Sequence, residues 1–118
     1  MEDQKMAEII NLIRNERIGD YNEVSEKLTA ACGVKQVAAT KVGSDSMVFS
    51  FEKFYARTNS FASLTVVLEN RENDNKATII ASGAGESLLN LSFGANAGFA
   101  SKAQKILCKE LGFVSTGK

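Results

Sequence analysis

The hydrophobic period of the chain changes once, near residue 34, and the change separates helical from extended patterning. Met6, Ile9, Ile10 and Ile13 recur at the spacing of one helix face, with Glu8, Asn11 and Arg14 between them, which predicts a helix over 2–16. Asp20 opens a second helix. Its carboxylate can accept from an orphan N–H of the first turn, and Glu23 three positions on completes a capping box. Tyr21, Val24, Leu28 and Ala31 give the apolar face, and Gly33 can close the last turn with a positive φ.

From Val34 the period falls to 2 and β-branched and aromatic residues become frequent, so strands follow. The first covers Lys35 to Val42 and ends at Gly43-Ser44-Asp45, which can reverse the chain. Met47 to Ala56 is the second. There Met47, Phe49 and Phe51 share a parity that Tyr55 keeps and Phe54 breaks, which requires either a bulge near Lys53 or a sheet with both faces partly covered. After Arg57-Thr58-Asn59-Ser60, the third strand alternates Ala62, Leu64, Val66 and Leu68 with Phe61, Ser63, Thr65 and Val67. A polar loop over Asn70 to Asn75 leads to a fourth strand, Ala77 to Ser82. Beyond Gly83-Ala84-Gly85, Leu89, Leu91 and Phe93 alternate with Leu88, Asn90 and Ser92 and predict a fifth. A last helix carries Phe99, Ala103, Ile106, Leu107 and Leu111 on one face, capped by Asn96 or Ser101 and stopped by Gly112.

Short links force antiparallel neighbours, so the expected fold is α+β: a two-layer sandwich in which an antiparallel meander of four or five strands is covered on one face by the N-terminal and C-terminal helices. The expected organisation is a helical extension over 1–18, one α+β domain over 19–113 and a flexible tail over 114–118.

Composition narrows the function. A chain of 118 residues holds one core, and 44% apolar with 24% charged residues is the balance of a soluble globular protein, without the apolar run a membrane span needs. Fourteen basic side chains offset fourteen acidic ones, so no overall field draws the chain to nucleic acid or anionic lipid. The charge is split along the chain, with residues 1–30 at net −3 and 91–118 at net +3, which favours contact between opposite ends within or between subunits. Histidine is absent, which removes the commonest general base and zinc ligand and with them Ser-His-Asp and Cys-His catalysis. Cys32 and Cys108 lack CxxC spacing and read as buried free thiols, a disulfide between them being the alternative. The acidic start, Met1-Glu2-Asp3-Gln4, is unlike a secretory signal, and a cytoplasmic protein is expected.

Candidate chemistry is sparse. Gly83 and Gly85 with Glu86 follow an apolar strand as a nucleotide loop would, but a dinucleotide fingerprint needs glycine where Leu88 stands and no Gly-Lys-Ser/Thr follows; a tight turn accounts for them. Lys102, Lys105 and Lys109 form a basic stripe of the kind a solvated helix face carries. Glu52, Lys53, Tyr55, Arg57 and Glu86 are the one set from which an acid–base site could be built, and strand alternation separates Glu52 from Lys53. Phe49, Phe51, Phe54, Tyr55 and Phe61 either fill the core or line an apolar pocket.

Gly19-Asp20-Tyr21-Asn22-Glu23-Val24, Phe51-Glu52-Lys53-Phe54-Tyr55, Ser63-Leu64-Thr65-Val66, the Ser-Gly-x-Gly turn at Ser82-Gly83-Ala84-Gly85 and the aromatic-Gly pair in Ser92-Phe93-Gly94 together resemble a family of short uncharacterised bacterial proteins from Firmicutes, over Gly19 to Leu111. The resemblance implies a small cytoplasmic α+β protein with a domain of unknown function, and it carries over no activity, cofactor or catalytic residue. The sequence therefore predicts a non-enzymatic module without metal or cofactor that self-associates, as a dimer in the first instance, or binds another protein. The alternative is a small apolar ligand held between the sheet and the C-terminal helix.

Overall fold

A computed structural model describes residues 7–56, 59–72, 74–83 and 90–116, and of residues 55, 60 and 90–97 the backbone alone. The meander forms where the period-2 pattern places it: β2 (Lys35–Val42), β3 (Ser46–Tyr55), β4 (Ser60–Asn70) and β5 (Asn75–Ser82) pair antiparallel in sequence order. Gly43 turns β2 into β3 at φ 72°, a conformation that costs glycine little. The β4–β5 hairpin closes on the Asn70–Asn75 pair, with Arg71 and Asp74 in a 2.8 Å ion pair across its tip. Register in β3 runs unbroken from Ser46 to Tyr55, so no bulge lies at Lys53; Phe54 simply points to the other face of the sheet, and the register shift falls in β2 between Gln36 and Ala38.

Two expected elements are replaced. In place of a helix over 2–16 stands strand β1 (Ala7–Arg14), antiparallel to β5 on one side and to the short β6 (Val114–Ser115) on the other. The sheet has six strands in the order β2-β3-β4-β5-β1-β6. The physical reason is that both faces of the strand carry apolar side chains. Ile10 and Leu12 face the core while Ile9 and Ile13 face the opposite surface, so alternation vanishes and Met6, Ile9, Ile10 and Ile13 take on a helical spacing by coincidence. The fifth strand expected over Leu88 to Phe93 is likewise absent from Asn90 onwards, where helix α2 (Asn90–Leu111) has begun; residues 88 and 89 lie outside the described residues. Val114–Ser115, expected to fray, are held by Leu12 and Ile13.

Helix α1 (Tyr21–Cys32) begins as its sequence dictates: Asp20 accepts from the Asn22 N–H at 3.0 Å, and Gly33 at φ 67° donates back to Thr29. Helix α2 ends at Gly112, which takes φ 78°, and the Phe113 N–H donates to the Leu107 carbonyl at 3.2 Å. The core lies on one side of the sheet. Phe49, Phe51, Leu64, Val66, Leu68, Ile79 and Leu12 pack there against Val24 and Leu28 of α1 and Phe99, Ala103 and Leu107 of α2. α2 crosses β5, β1 and β4, whereas α1 rests chiefly on α2. At one end of the sheet the crossing from β1 to α1 is tied by side chains: the Asn75 amide donates to the carbonyls of Arg14, Asn15 and Glu16, and Asn70 brackets both backbone groups of Ile18. Arg14 donates to the carbonyls of Leu111, Glu16 and Arg17 and lies over the Phe113 ring at 5.1 Å, joining β1 to the end of α2.

Candidate functional site

Strand parity decides where each candidate side chain goes, and it divides them. Phe49 and Phe51 are fully buried on the core side, their rings 6.1 Å apart. Phe54 and Phe61 sit opposite one another on β3 and β4 on the other side, 50% and 59% exposed, rings 5.2 Å apart. The five aromatics thus line no common cavity; Tyr55 is described by its backbone alone. Gly83 ends β5 at φ 94°, and a Cβ there would meet the Phe61 carbonyl oxygen at 3.3 Å, which accounts for the glycine by close packing of two strands. Gly85, Glu86 and Arg57 lie outside the described residues. Glu52 is exposed on one face, while Lys53 on the other donates to the Cys32 carbonyl at 3.3 Å, a cation at the negative end of α1. These two do not converge.

The thiols are placed for packing. Burial pushes Cys32 above the ordinary thiol range against the opposing pull of the Lys102 and Lys53 ammoniums, and burial raises Cys108. Both stay protonated near neutral pH, the poorly nucleophilic state. Lys27 meets Glu110 at 3.8 Å, and Ala30 and Ala31 share a groove with Ile106, so α1 and α2 run antiparallel. Both cysteines are free.

Between the helices an open groove of about 250 Å³ is lined by Lys27, Ala30, Ala31, Ile106 and Glu110. Its rim charges pair with each other, and among the described residues no buried side-chain nitrogen or oxygen lacks a partner that a ligand would supply. Among the described residues no cluster of His, Cys, Asp or Glu could hold a metal, and no helix is long and apolar enough to cross a membrane.

What remains is the second face of the sheet. Neither helix packs on it, since the core residues of β1, β3, β4 and β5 share the opposite parity. The register builds this open face in rows. Ile9, Ile80, Thr65 and Ser50 lie side by side, then Asn11, Thr78, Val67 and Val48, then Ile13, Lys76, Glu69 and Ser46, with the Phe54–Phe61 pair at the far end. Polar side chains on it pair within the face: the Ser63 and Ser82 hydroxyls are 3.0 Å apart, and Thr78 donates to the Asn11 amide oxygen at 3.2 Å. Lys35 stands beside Glu52 and Lys76 beside Glu69, so among the described residues the face is neutral. The sequence reading missed this surface. Its signal was present in β4, where Phe61 and Val67 sit on the strand positions that alternate with the buried set.

The profile of a family of unknown function, DUF6054, matches residues 13–110. No curated protein and no solved structure matches the chain.

Proposed function

The chain belongs to DUF6054, a family of unknown function, and on its geometry we propose that it is a non-enzymatic cytoplasmic module that self-associates, a second copy covering the open face of its sheet. The observation that carries this reading is the uncovered face itself, where Ile9, Phe54 and Phe61 are each at least half exposed on one side of a six-stranded sheet. Exposed aromatic and aliphatic side chains gathered on one sheet face of a small domain support an interaction surface.

Size and charge select the occupant. The five long strands, at least eight residues each and spaced about 4.8 Å apart, present roughly 600 Å². Two such faces bury about 1,200 Å² or more, the lower bound of a stable protein interface. A nucleic acid or an anionic lipid would be drawn by net positive charge, and Lys35 and Lys76 are offset by Glu52 and Glu69. A neutral face meeting its own copy carries no net repulsion. The ligand-binding alternative would need a void between sheet and α2, where Phe49, Phe51, Leu64 and Leu107 are fully buried.

Light scattering on the wild-type chain and on Thr65→Arg tests the proposal. Thr65 lies mid-face between Ser50 and Ile80, so an arginine there stays solvated in a monomer and is buried without a partner in a pair of copies. The wild type is expected at twice the monomer mass, and the variant at monomer mass with its circular dichroism unchanged and association weakened by about 100-fold or more. A wild type that stays monomeric, or an arginine variant that associates as tightly as wild type, overturns it.

A further inference from the structure

Resting on that reading, the register fixes how the two copies meet: we propose that the two-fold axis of the dimer runs along the strands, between β4 and β5, and sets Glu69 of each copy against Lys76 of the other. A face that packs on its own copy does so about a two-fold axis lying in the plane between the sheets. Sheets stacked face to face keep their strands within about 30° of one another, which leaves an axis nearly along the strands or nearly across them.

Chemistry separates the two. Glu69 on β4 and Lys76 on β5 are cross-strand neighbours in one row, on the third and fourth of six strands. An axis between those strands exchanges their positions, so the glutamate lies over the partner subunit's Lys76 and the lysine over the partner subunit's Glu69, two opposed charge pairs from one contact. The same rotation carries the exposed Phe61 beside its own counterpart, ring to ring at the axis. An axis across the strands would instead reverse the rows. It would lay the Phe54–Phe61 pair of one copy over Glu69 and Ser46 of the other, burying carboxylates against rings with no cation facing them. Sheet twist accumulates from strand to strand, so the central strands beside the axis remain in closest contact, and these are the ones that carry the charges.

Charge reversal with mixing tests the arrangement. Glu69→Lys alone makes lysine face lysine twice across the axis, and Lys76→Glu alone makes glutamate face glutamate twice; each variant is expected to associate about tenfold or more weakly than wild type. Mixed in equal amounts, the two form a heterodimer in which both facing pairs are again opposite in sign, although the cross-strand pair within each chain remains like-charged. Native mass spectrometry of the mixture, with one variant isotope-labelled, is expected to show the heterodimer at near wild-type affinity and little of either homodimer. A statistical mixture of homo- and heterodimers, or single variants that dimerise as tightly as wild type, overturns the axis while leaving self-association intact. A monomeric wild type, measured in the same series, overturns the association itself and this arrangement with it.

Discussion

Asn75 shows how one side chain replaces secondary structure. It is 2% exposed at the start of β5, and its amide donates to three successive carbonyls of the segment leaving β1, at 3.3, 3.1 and 2.7 Å, while its oxygen accepts from the Arg71 N–H. Asn15 and Glu16 lie in the bend beyond the end of β1, so removing the amide takes a donor from part-buried carbonyls that no strand or helix hydrogen bond replaces. Asn75→Ala is expected to lower stability by about 2 to 3 kcal/mol. Asn75→Asp, of the same size, should cost more near neutral pH, because a carboxylate would face three oxygens. Urea midpoints in the order Asn, Ala, Asp check this; an aspartate variant as stable as wild type contradicts it. In the sequence, Asn70 and Asn75 read as loop residues of a hairpin end, and that is where they are. Their anchoring role was not legible, because the partners they hold in the β1–α1 crossing are 49 or more residues away and local pattern carries no such information.

At the scale of elements, the meander and both helix stops were written in local chemistry. The period of 2, the glycines at 33, 43 and 112 and the Asp20 cap each act within a few residues. The failures lie where tertiary burial overrides period. β1 carries three isoleucines and a leucine in eight residues, a β-branched enrichment that argued for a strand, but apolar residues on both faces hid the alternation. The consequence is large, since β1 is bonded on both sides, supplies Leu12 to the core and places Arg14 on the end of α2. A chain starting at Gly19 is therefore expected to lose its cooperative unfolding transition, since the edge of β5 and the underside of α2 would be uncovered. Retention of a sharp transition by that truncation would return residues 7–14 to the status of a dispensable extension. α2 was legible from Phe99 to Gly112, but its start was not, because Leu88 to Phe93 fits helix and strand equally well.

For the molecule as a whole, an α+β fold with one antiparallel sheet was legible, and the candidate site was not. The sequence groups Phe49, Phe51, Phe54, Tyr55 and Phe61 as core or pocket lining, whereas parity sends Phe54 and Phe61 to the side that neither helix reaches. A single strand pattern shows that two parities differ; it does not show that every neighbouring strand leaves the same parity bare. That bare face is the basis for reading this protein as a partner of its own copy. Hydroxyl-radical footprinting across a hundredfold range of protein concentration addresses it most directly, with Ile106 on the helical layer as the internal reference. The account predicts that oxidation of Phe54, Phe61 and Ile9 falls as concentration rises while Ile106 is unchanged. Oxidation of the three residues that does not vary with concentration, or protection that appears at Ile106 instead, would contradict it.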